Sequence, residues 1–267
     1  MFSLLLLQVI LAAAAFGIPT SRERHAQRVA RRAANPHMSR PVQAASGPAA
    51  LAGGDATASV YTTNWAGAVL VAGPNTYTAA TGSFIVPTPR EPSGGSGFHS
   101  AAIWVGIDGD TCQSAILQTG VDITVSGGET SYNAWYEWYP AAMSDFSGFA
   151  VRPGDNISAT VIADSLTSGT ATLINYSTGQ EVTKILTSQP ALCQENAEWI
   201  VEDYTESGGL VPLANFGTVT FTDALAGIST GGVSPAGATI FNMEQNGRVL
   251  TTASTSSSSV TVNYIGP

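Results

Sequence analysis

From about Val60 onward, the sequence consists of short runs of alternating apolar and polar residues, broken by Gly, Asn, Asp, Ser and Pro. Such runs, at roughly 8 to 12 residue spacing and with no helical pattern between them, predict an all-β fold, an antiparallel β-sandwich or barrel. A chain of 267 residues can form such a fold as one domain. The dozen or so predicted strands are NWAGAVLV, GSFIVP, SAAIWVGI, SAILQTGVDITV, SYNAWYEWYP, NISATVIA, TATLINYS, VTKILT, AEWIVEDY, GTVTFTDAL, ATIFNM and SVTVNYI.

The strand AEWIVEDY concentrates acidic residues in a chain that has few charges. Because successive side chains of a strand point to opposite faces, Glu198 and Glu202 share one face with Ile200 and Tyr204. Asp203 points to the other face. Neither face is plainly apolar or plainly polar, which is unusual for a strand that only supports a core.

Two more strands carry polar side chains among apolar ones. In SAILQTGVD, Gln118 and Asp122 lie on one face, and in SYNAWYEWYP, Glu137 lies on the face of Asn133 and Trp135. A carboxylate framed by aromatic rings suits a cleft that holds an extended ligand. Periodicity alone leaves the alternative open, since aromatic strands are more often core and a lone glutamine is usually just exposed.

The N-terminal region predicts export and processing. Residues 1–17, MFSLLLLQVILAAAAFG, have the apolar core and small residues of a cleaved signal peptide, and no later apolar run is long enough for a membrane helix. We therefore predict a secreted, extracellular protein with a basic propeptide and linker at 18–56 and a main β-sandwich domain at 57–267. Asn156 and Asn175 begin glycosylation sequons, which suit a secreted surface but occur often by chance.

Charge is distributed unevenly along the chain. Six of the ten basic residues precede residue 41, whereas from residue 57 onward 17 acidic residues face four basic ones, a formal charge of −13. This asymmetry argues against nucleic acid as a partner and predicts that the propeptide docks on the acidic domain and inhibits it. A disordered basic tail without an inhibitory role is the alternative. Because repulsion between the acidic residues of the domain fades as their carboxylates protonate, the domain is expected to work in acid. It is also expected to be a monomer.

Several familiar chemistries are excluded by the residues available. His99 is the sole histidine of the main domain, lies in a Gly and Ser loop and has no G-x-S-x-G motif to serve. Cys112 and Cys193 are the only cysteines and can form one disulfide in an oxidising compartment. Asp108 and Asp110 lack the other ligands of a calcium loop, so no metal and no cofactor are expected. Carboxylates and amides remain as candidate catalytic groups.

The motifs WVGIDGDTCQSAILQTGVD, YNAWYEWYP and AEWIVEDY, in this order, resemble the glutamic peptidases, or eqolisins, which are secreted acid proteases of fungi. NWAGAVL, FSGFAVRPGD and TATLINYSTGQ match the same family, so the resemblance covers about Val60 to Ile265. It implies a sandwich of two large antiparallel sheets like that of concanavalin-type lectins, and a disulfide between Cys112 and Cys193. Some relatives carry further disulfides that this chain lacks.

The resemblance also implies the site. The family's catalytic glutamine and glutamate correspond to Gln118 and Glu202, and Asn133 stands where an aspartate is expected in relatives. The residues that correspond to the substrate-binding cleft are Trp104, Asp108, Asn133, Trp135 and Glu137.

The implied function is acid endopeptidase activity on protein or peptide substrates. Two alternatives fit a β-sandwich with carboxylates in an aromatic cleft. A retaining glycoside hydrolase would use Glu137 and Glu202 about 5 Å apart, and a lectin-like module would only bind. The glycoside hydrolase does not explain Gln118, and the binding module is favoured only if there is no turnover at acid pH.

Overall fold

The computed structural model describes residues 37–47 and 59–267, which form twenty strands and no helix. The predicted signal peptide 1–17 and most of the predicted propeptide and linker 18–56 lie outside the described residues. No helix in the described ranges has the length and apolar character to cross a membrane.

The strands are named in chain order. They are β1 His37–Met38, β2 Val60–Thr62, β3 Trp65–Val71, β4 Ala79–Ile85, β5 Phe98–Ile107, β6 Ile116–Ser126, β7 Glu129–Tyr139, β8 Ser144–Asp145, β9 Asn156–Ser165, β10 Ser168–Asn175, β11 Gln180–Thr187, β12 Asn196–Glu202, β13 Thr205–Glu206, β14 Gly209–Leu210, β15 Thr218–Ile228, β16 Gly231–Val233, β17 Thr239–Gln245, β18 Arg248–Val249, β19 Thr251–Thr255 and β20 Val260–Tyr264.

Two large sheets form a sandwich, which confirms the predicted fold class. The nine-stranded sheet has the order β18-β17-β3-β12-β5-β6-β7-β8, with β2 beside β17. The eight-stranded sheet has the order β11-β10-β9-β4-β15-β20-β19, with β16 beside β15. Every pairing in these sheets is antiparallel except that of β2 with β17. A small third sheet joins β1, β13 and β14.

The main core contains apolar side chains of both large sheets. In the nine-stranded sheet the inward positions alternate along each strand, as the sequence pattern predicts, and Trp199 and Val201 of β12 are fully buried there. Phe84, Val161 and Phe221 belong to the same cluster from the other sheet. Burial of this apolar surface is the main source of the sandwich's stability.

The opposite face of the nine-stranded sheet, called the site face below, carries a second buried cluster. Its large members are Trp65, Trp104, Trp135, Ile200 and Tyr204. The buried polar side chains predicted to be functional stand among them.

The disulfide joins Cys112 and Cys193, which are 81 residues apart in sequence. It ties the loop before β6 to the loop before β12, and thereby links the two strands that carry Gln118 and Glu202. On a chain-entropy estimate a loop of this length contributes on the order of 4 kcal/mol of stability.

Candidate active site

Four adjacent strands, β12, β5, β6 and β7, build the site from three rows of side chains across the site face. Register between the strands places the residues of each row side by side. The rows are Glu198, Gly106, Gln118 and Glu137; Ile200, Trp104, Gly120 and Trp135; and Glu202, Ala102, Asp122 and Asn133.

Trp104 connects the rows because glycines leave room for its indole. A Cβ on Gly120 would lie 2.6 Å from the Cβ of Trp104, and one on Gly106 would lie 2.7 Å from its Cζ3. With that space open, Trp104 Nε1 donates a hydrogen bond to Glu202 Oε2 at 2.9 Å. Small residues in the sheet therefore position a donor on the candidate catalytic carboxyl.

Residues 37–47, called the covering segment below, lie across the site face. Gln118 Nε2 donates to the carbonyl oxygen of Ser39 at 3.1 Å, and the N–H of Arg40 donates to Glu202 Oε1 at 3.1 Å. The two side chains that the family resemblance singled out thus contact the two ends of one peptide group.

Contacts on both sides of that peptide group hold the covering segment. Upstream, the His37 ring stacks on Tyr204 with centroids 3.6 Å apart, and its Nδ1 lies 3.4 Å from Asp122 Oδ2. Downstream, Trp65 Nε1 donates to the carbonyl oxygen of Arg40 at 3.0 Å. The face therefore binds a peptide main chain as well as side chains.

Burial controls the protonation of the two carboxyls that contact the covering segment. It raises the pKa of Glu202 to about 8, against opposing hydrogen bonds from Trp104 and the Arg40 N–H. Burial also raises the pKa of Glu137 well above its ordinary value, although the Ser39 N–H donates to its Oε2 at 3.1 Å. Both carboxyls are thus protonated in acid while the segment covers them.

Two further acids of the AEWIVEDY stretch are buried and neutral in acid. Burial raises the pKa of Glu198 well above its ordinary value, and neither of its oxygens has a hydrogen-bond partner among the described residues. Burial raises the pKa of Asp203 to about 8, and its Oδ2 accepts a hydrogen bond from Gln245 Nε2 at 2.7 Å. As the alternation predicts, Glu198 lies on the site face.

Two of the candidate binding residues make their hydrogen bonds to other parts of the chain rather than to Gln118 or Glu202. The Asp108 carboxylate accepts the backbone N–H groups of residues 193–196 at 2.7 to 3.3 Å and so orders the chain that enters β12. Asn133 donates its side-chain amide to Asp145 Oδ1 at 2.9 Å. The structure gathers the others around the pair, namely Trp104, Trp135 and Glu137.

Sequence reasoning did not single out several residues that contact the covering segment. Alternation places Asp122 on the face of Gln118 but predicts no role for it. Asn64 and Trp65 enter only through NWAGAVL, as a predicted strand and a motif that matches the family. Asn64 Nδ2 donates to the carbonyl oxygen of Pro41 at 3.2 Å. An Asn-Trp pair at the start of a buried strand was the available signal, since both side chains carry hydrogen-bond donors.

The two glycosylation candidates differ in accessibility. Asn175 is buried, and its Nδ2 donates to Asp155 Oδ2 at 2.8 Å and to the Ala150 carbonyl oxygen at 3.2 Å. Asn156 is partly exposed at the start of β9. Glycosylation at either position stays a prediction, and the structure favours Asn156.

These features define a class of protein: an all-β sandwich that binds a peptide segment over an acidic face, between a glutamine amide and glutamate carboxyls. The class can carry out acid–base chemistry on a peptide bond with protein groups alone.

Comparison with known proteins gives the family. The model of the peptidase A4 family matches residues 63–264. The chain is 44% identical over 282 residues to aspergillopepsin-2 of Aspergillus niger, with 99% of both chains covered. It is 43% identical over 211 residues to scytalidopepsin B of Scytalidium lignicola, covering 76% of this chain and 78% of that protein.

A solved structure of scytalido-glutamic peptidase with a transition state analog inhibitor has the same fold, with a TM-score of 0.69 and 40% identity. The match covers 76% of this chain and 98% of that one. The chain belongs to the peptidase A4 family and is a glutamic-type peptidase. The resemblance to the eqolisins is thereby confirmed.

Proposed function

We propose that the chain is the precursor of a secreted acid endopeptidase whose catalytic pair is Gln118 and Glu202. One observation carries the proposal. These two side chains bind the carbonyl oxygen and the N–H of a single peptide group, contributed by Ser39 and Arg40. Hydrolysis of a peptide bond needs groups at these two positions.

Glu202 serves as general acid and base. It takes a proton from the attacking water and returns it to the departing nitrogen, beside which its Oε1 lies in the present pose. Trp104 donates to the other oxygen and favours the ionised form. The raised pKa of Glu202 belongs to the covered site, because desolvation is its main cause. When the covering segment leaves, the pKa falls and the carboxyl can also act as a base.

Gln118 stabilises the oxyanion. Its Nε2 already points at a peptide carbonyl oxygen, where negative charge develops in the tetrahedral intermediate. Loss of one such donor costs roughly 3 to 4 kcal/mol of transition-state stabilisation in other enzymes. An amide does not titrate in acid, so the donor stays active at low pH.

The remaining candidate cleft residues have two kinds of role, binding the substrate or supporting the strands that carry the pair. Glu137 accepts an N–H from the residue before the scissile bond, as it does from Ser39. Trp104 and Trp135 supply apolar surface around the pair. Asp108 supports the entry to the catalytic strand β12 through its backbone hydrogen bonds, and Asn133 contributes from the end of the Glu202 row.

The propeptide inhibits the enzyme by occupying the site. Its covering segment makes the contacts that a substrate main chain would need, and it buries Gln118 and Glu202 completely. The proposed organisation is a signal peptide at 1–17, a propeptide and linker at 18–56 and a catalytic domain at 57–267. A secretory route agrees with the disulfide between Cys112 and Cys193. The mature enzyme is proposed to be a monomer.

The test is substitution of the pair in the full-length chain. Glu202→Gln and Gln118→Ala each reduce hydrolysis of a denatured protein at about pH 3 by at least 100-fold, because each removes one half of the chemistry. Circular dichroism and thermal melting check that both variants fold. Glu181→Gln, an exposed strand residue, keeps full activity as the control.

A polysaccharide is assayed beside the protein substrate. Near-normal proteolysis by either variant contradicts the catalytic assignment. Turnover of the polysaccharide without proteolysis indicates a glycoside hydrolase, and turnover of neither indicates a binding module.

A further inference from the structure

The Ser39–Arg40 peptide group lies in the site as a substrate bond would. Gln118 contacts its oxygen and Glu202 its nitrogen, each at 3.1 Å. Glu137 Oε2 is 3.1 Å from the N–H of Ser39 and 3.4 Å from Gln118 Nε2. Three polar side chains therefore converge on one bond of the chain's own propeptide.

The position upstream of this bond is fixed by pairing and by side-chain contacts. His37 and Met38 form β1, in which His37 is opposite Glu206 and Met38 is opposite Thr205 of β13. The stacking of His37 on Tyr204 adds a contact specific to that side chain. A slip of one residue would move the ring to the other side of the strand and lose this contact.

The position downstream is fixed by hydrogen bonds to the main chain. The Asn64 side chain accepts from the Gln43 N–H at 2.8 Å, and the Gln43 carbonyl oxygen accepts from the Thr63 N–H at 2.8 Å. The Ala45 N–H donates to the Tyr61 carbonyl oxygen at 3.0 Å. The covering segment is thus held on both sides of the same bond, which aligns that bond with the catalytic pair.

We propose that the Ser39–Arg40 bond is the first bond that the precursor cleaves, within its own molecule. This inference rests on the proposed peptidase function. The oxygen of water bonds to the carbonyl carbon of Ser39, and the bond from that carbon to the Arg40 nitrogen breaks. Glu202, which is protonated in acid while the segment covers it, gives its proton to that nitrogen, and the attacking water returns a proton to the Glu202 carboxylate. The products are a carboxyl group on Ser39 and a new N-terminal amine on Arg40.

Cleavage within one molecule has a kinetic signature. The segment and the site are parts of one chain, so the reacting groups do not have to meet by diffusion. The first-order rate constant of the first cut is therefore independent of protein concentration.

The test uses the full-length precursor, kept at neutral pH and then shifted to about pH 3. Samples are quenched over time and analysed by N-terminal sequencing and intact mass. The expected first new N-terminus is Arg40, with a rate constant unchanged over a tenfold range of protein concentration. A first N-terminus elsewhere, or an apparent first-order rate constant that rises with protein concentration, overturns the proposal.

Two proline variants test the register. Arg40→Pro removes the N–H that faces Glu202, and we expect cleavage between residues 39 and 40 to slow at least tenfold. Ser46→Pro is the matched control, because Ser46 is an exposed residue of the same segment, distant from the bond in sequence. The Ser46→Pro precursor is expected to be cleaved between residues 39 and 40 at the wild-type rate. Equal cleavage after residue 39 in both variants contradicts the register.

Failure of this inference can be told apart from failure of the proposed function. An added denatured protein is included as a second substrate in every reaction. If that protein is hydrolysed but the first new N-terminus is not Arg40, the peptidase function stands and the register is wrong. If neither the added protein nor the precursor is cleaved, both proposals are contradicted.

Discussion

Glu202 is subject to two opposing influences that a working acid–base group must balance. Burial favours its neutral form, while the indole of Trp104 and the Arg40 N–H favour its ionised form. The Arg40 contact comes from the covering segment, whereas the Trp104 contact comes from strand β5. If the covering segment is removed as proposed, Trp104 is the donor that remains on Glu202.

Replacing Trp104 by phenylalanine is expected to raise the pKa of Glu202, because it removes a hydrogen bond that the ionised form prefers. Ionisation of the base then needs a higher pH, so the acid limb of the kcat/KM profile shifts upward by on the order of one pH unit. The measurement is a pH–rate profile with a peptide substrate.

Trp135→Phe is the matched control for this profile. Trp135 lies in the same row, but its Nε1 makes no hydrogen bond within the described part of the chain. The variant can weaken substrate binding, yet its acid limb stays at the wild-type pH. An unshifted limb in Trp104→Phe would show that this indole does not set the protonation of Glu202.

At the scale of elements, the site depends on how closely β5 and β6 approach. Trp104 of β5 stands beside Gly120 of β6, and Gly106 of β5 stands beside Gln118. Each glycine leaves the space into which Trp104 extends along the face. The same strand pairing therefore positions both Gln118 and the donor for Glu202.

Gly120→Ala is expected to destabilise the domain by about 3 kcal/mol. The new methyl group would meet the carbonyl oxygen of Ile103 and the Cβ of Trp104, neither of which can move without disturbing the sheet. Gly73→Ala is the control, since a Cβ there meets no atom within 4 Å. Urea unfolding of both variants measures the effect, and equal stability would contradict the role of close packing at Gly120.

The sequence predicts the faces of these strands well because side chains alternate with a fixed period of two. Gln118 and Glu137, and likewise Ile200 and Glu202, lie on the faces that alternation assigns. The short strands and the polar strand Thr251–Thr255 were missed, since their residues carry no apolar alternation.

The covering segment could not be predicted in the same way. Its contacts join residue 39 to residue 118 and residue 40 to residue 202, and no local pattern encodes such distant pairs. Asp108 shows a related limit. The motif WVGID predicts a cleft residue by resemblance, whereas the structure surrounds the carboxylate with backbone N–H groups of another loop.

On the scale of the whole molecule, acidic residues dominate, and several of them are buried. From residue 57 onward the formal charge is −13, but this count treats as ionised the buried carboxyls of Glu137, Glu198, Glu202 and Asp203. Burial raises the pKa of all four. In acid these carboxyls are neutral, and their burial is tolerated. At higher pH each must ionise in the apolar interior, which costs free energy of folding.

These shifts fix the direction in which stability depends on pH. A carboxyl whose pKa is higher in the folded than in the unfolded state stabilises the fold below its unfolded pKa, and this contribution is lost as pH rises through the folded pKa. For Glu202 and Asp203 the window extends from their ordinary values of 4.5 and 3.8 up to about 8. The melting temperature of the covered precursor is thus highest in acid and falls toward pH 8.

Glu198→Gln is the sharpest test of this dependence, because the amide keeps the shape of the side chain but cannot ionise. In a Gln118→Ala background, which keeps the precursor intact in acid, the change leaves the melting temperature nearly unaltered at pH 4 and raises it by on the order of 5 °C at pH 8. Glu129 is exposed and serves as the control. In the same background, the melting temperature of Glu129→Gln falls between pH 4 and pH 8 more steeply than that of Glu198→Gln. If the Glu198→Gln and Glu129→Gln variants have the same melting temperature at both pH values, ionisation of Glu198 does not destabilise the fold. The decline toward neutral pH must then come from the remaining buried carboxyls or from repulsion between surface charges.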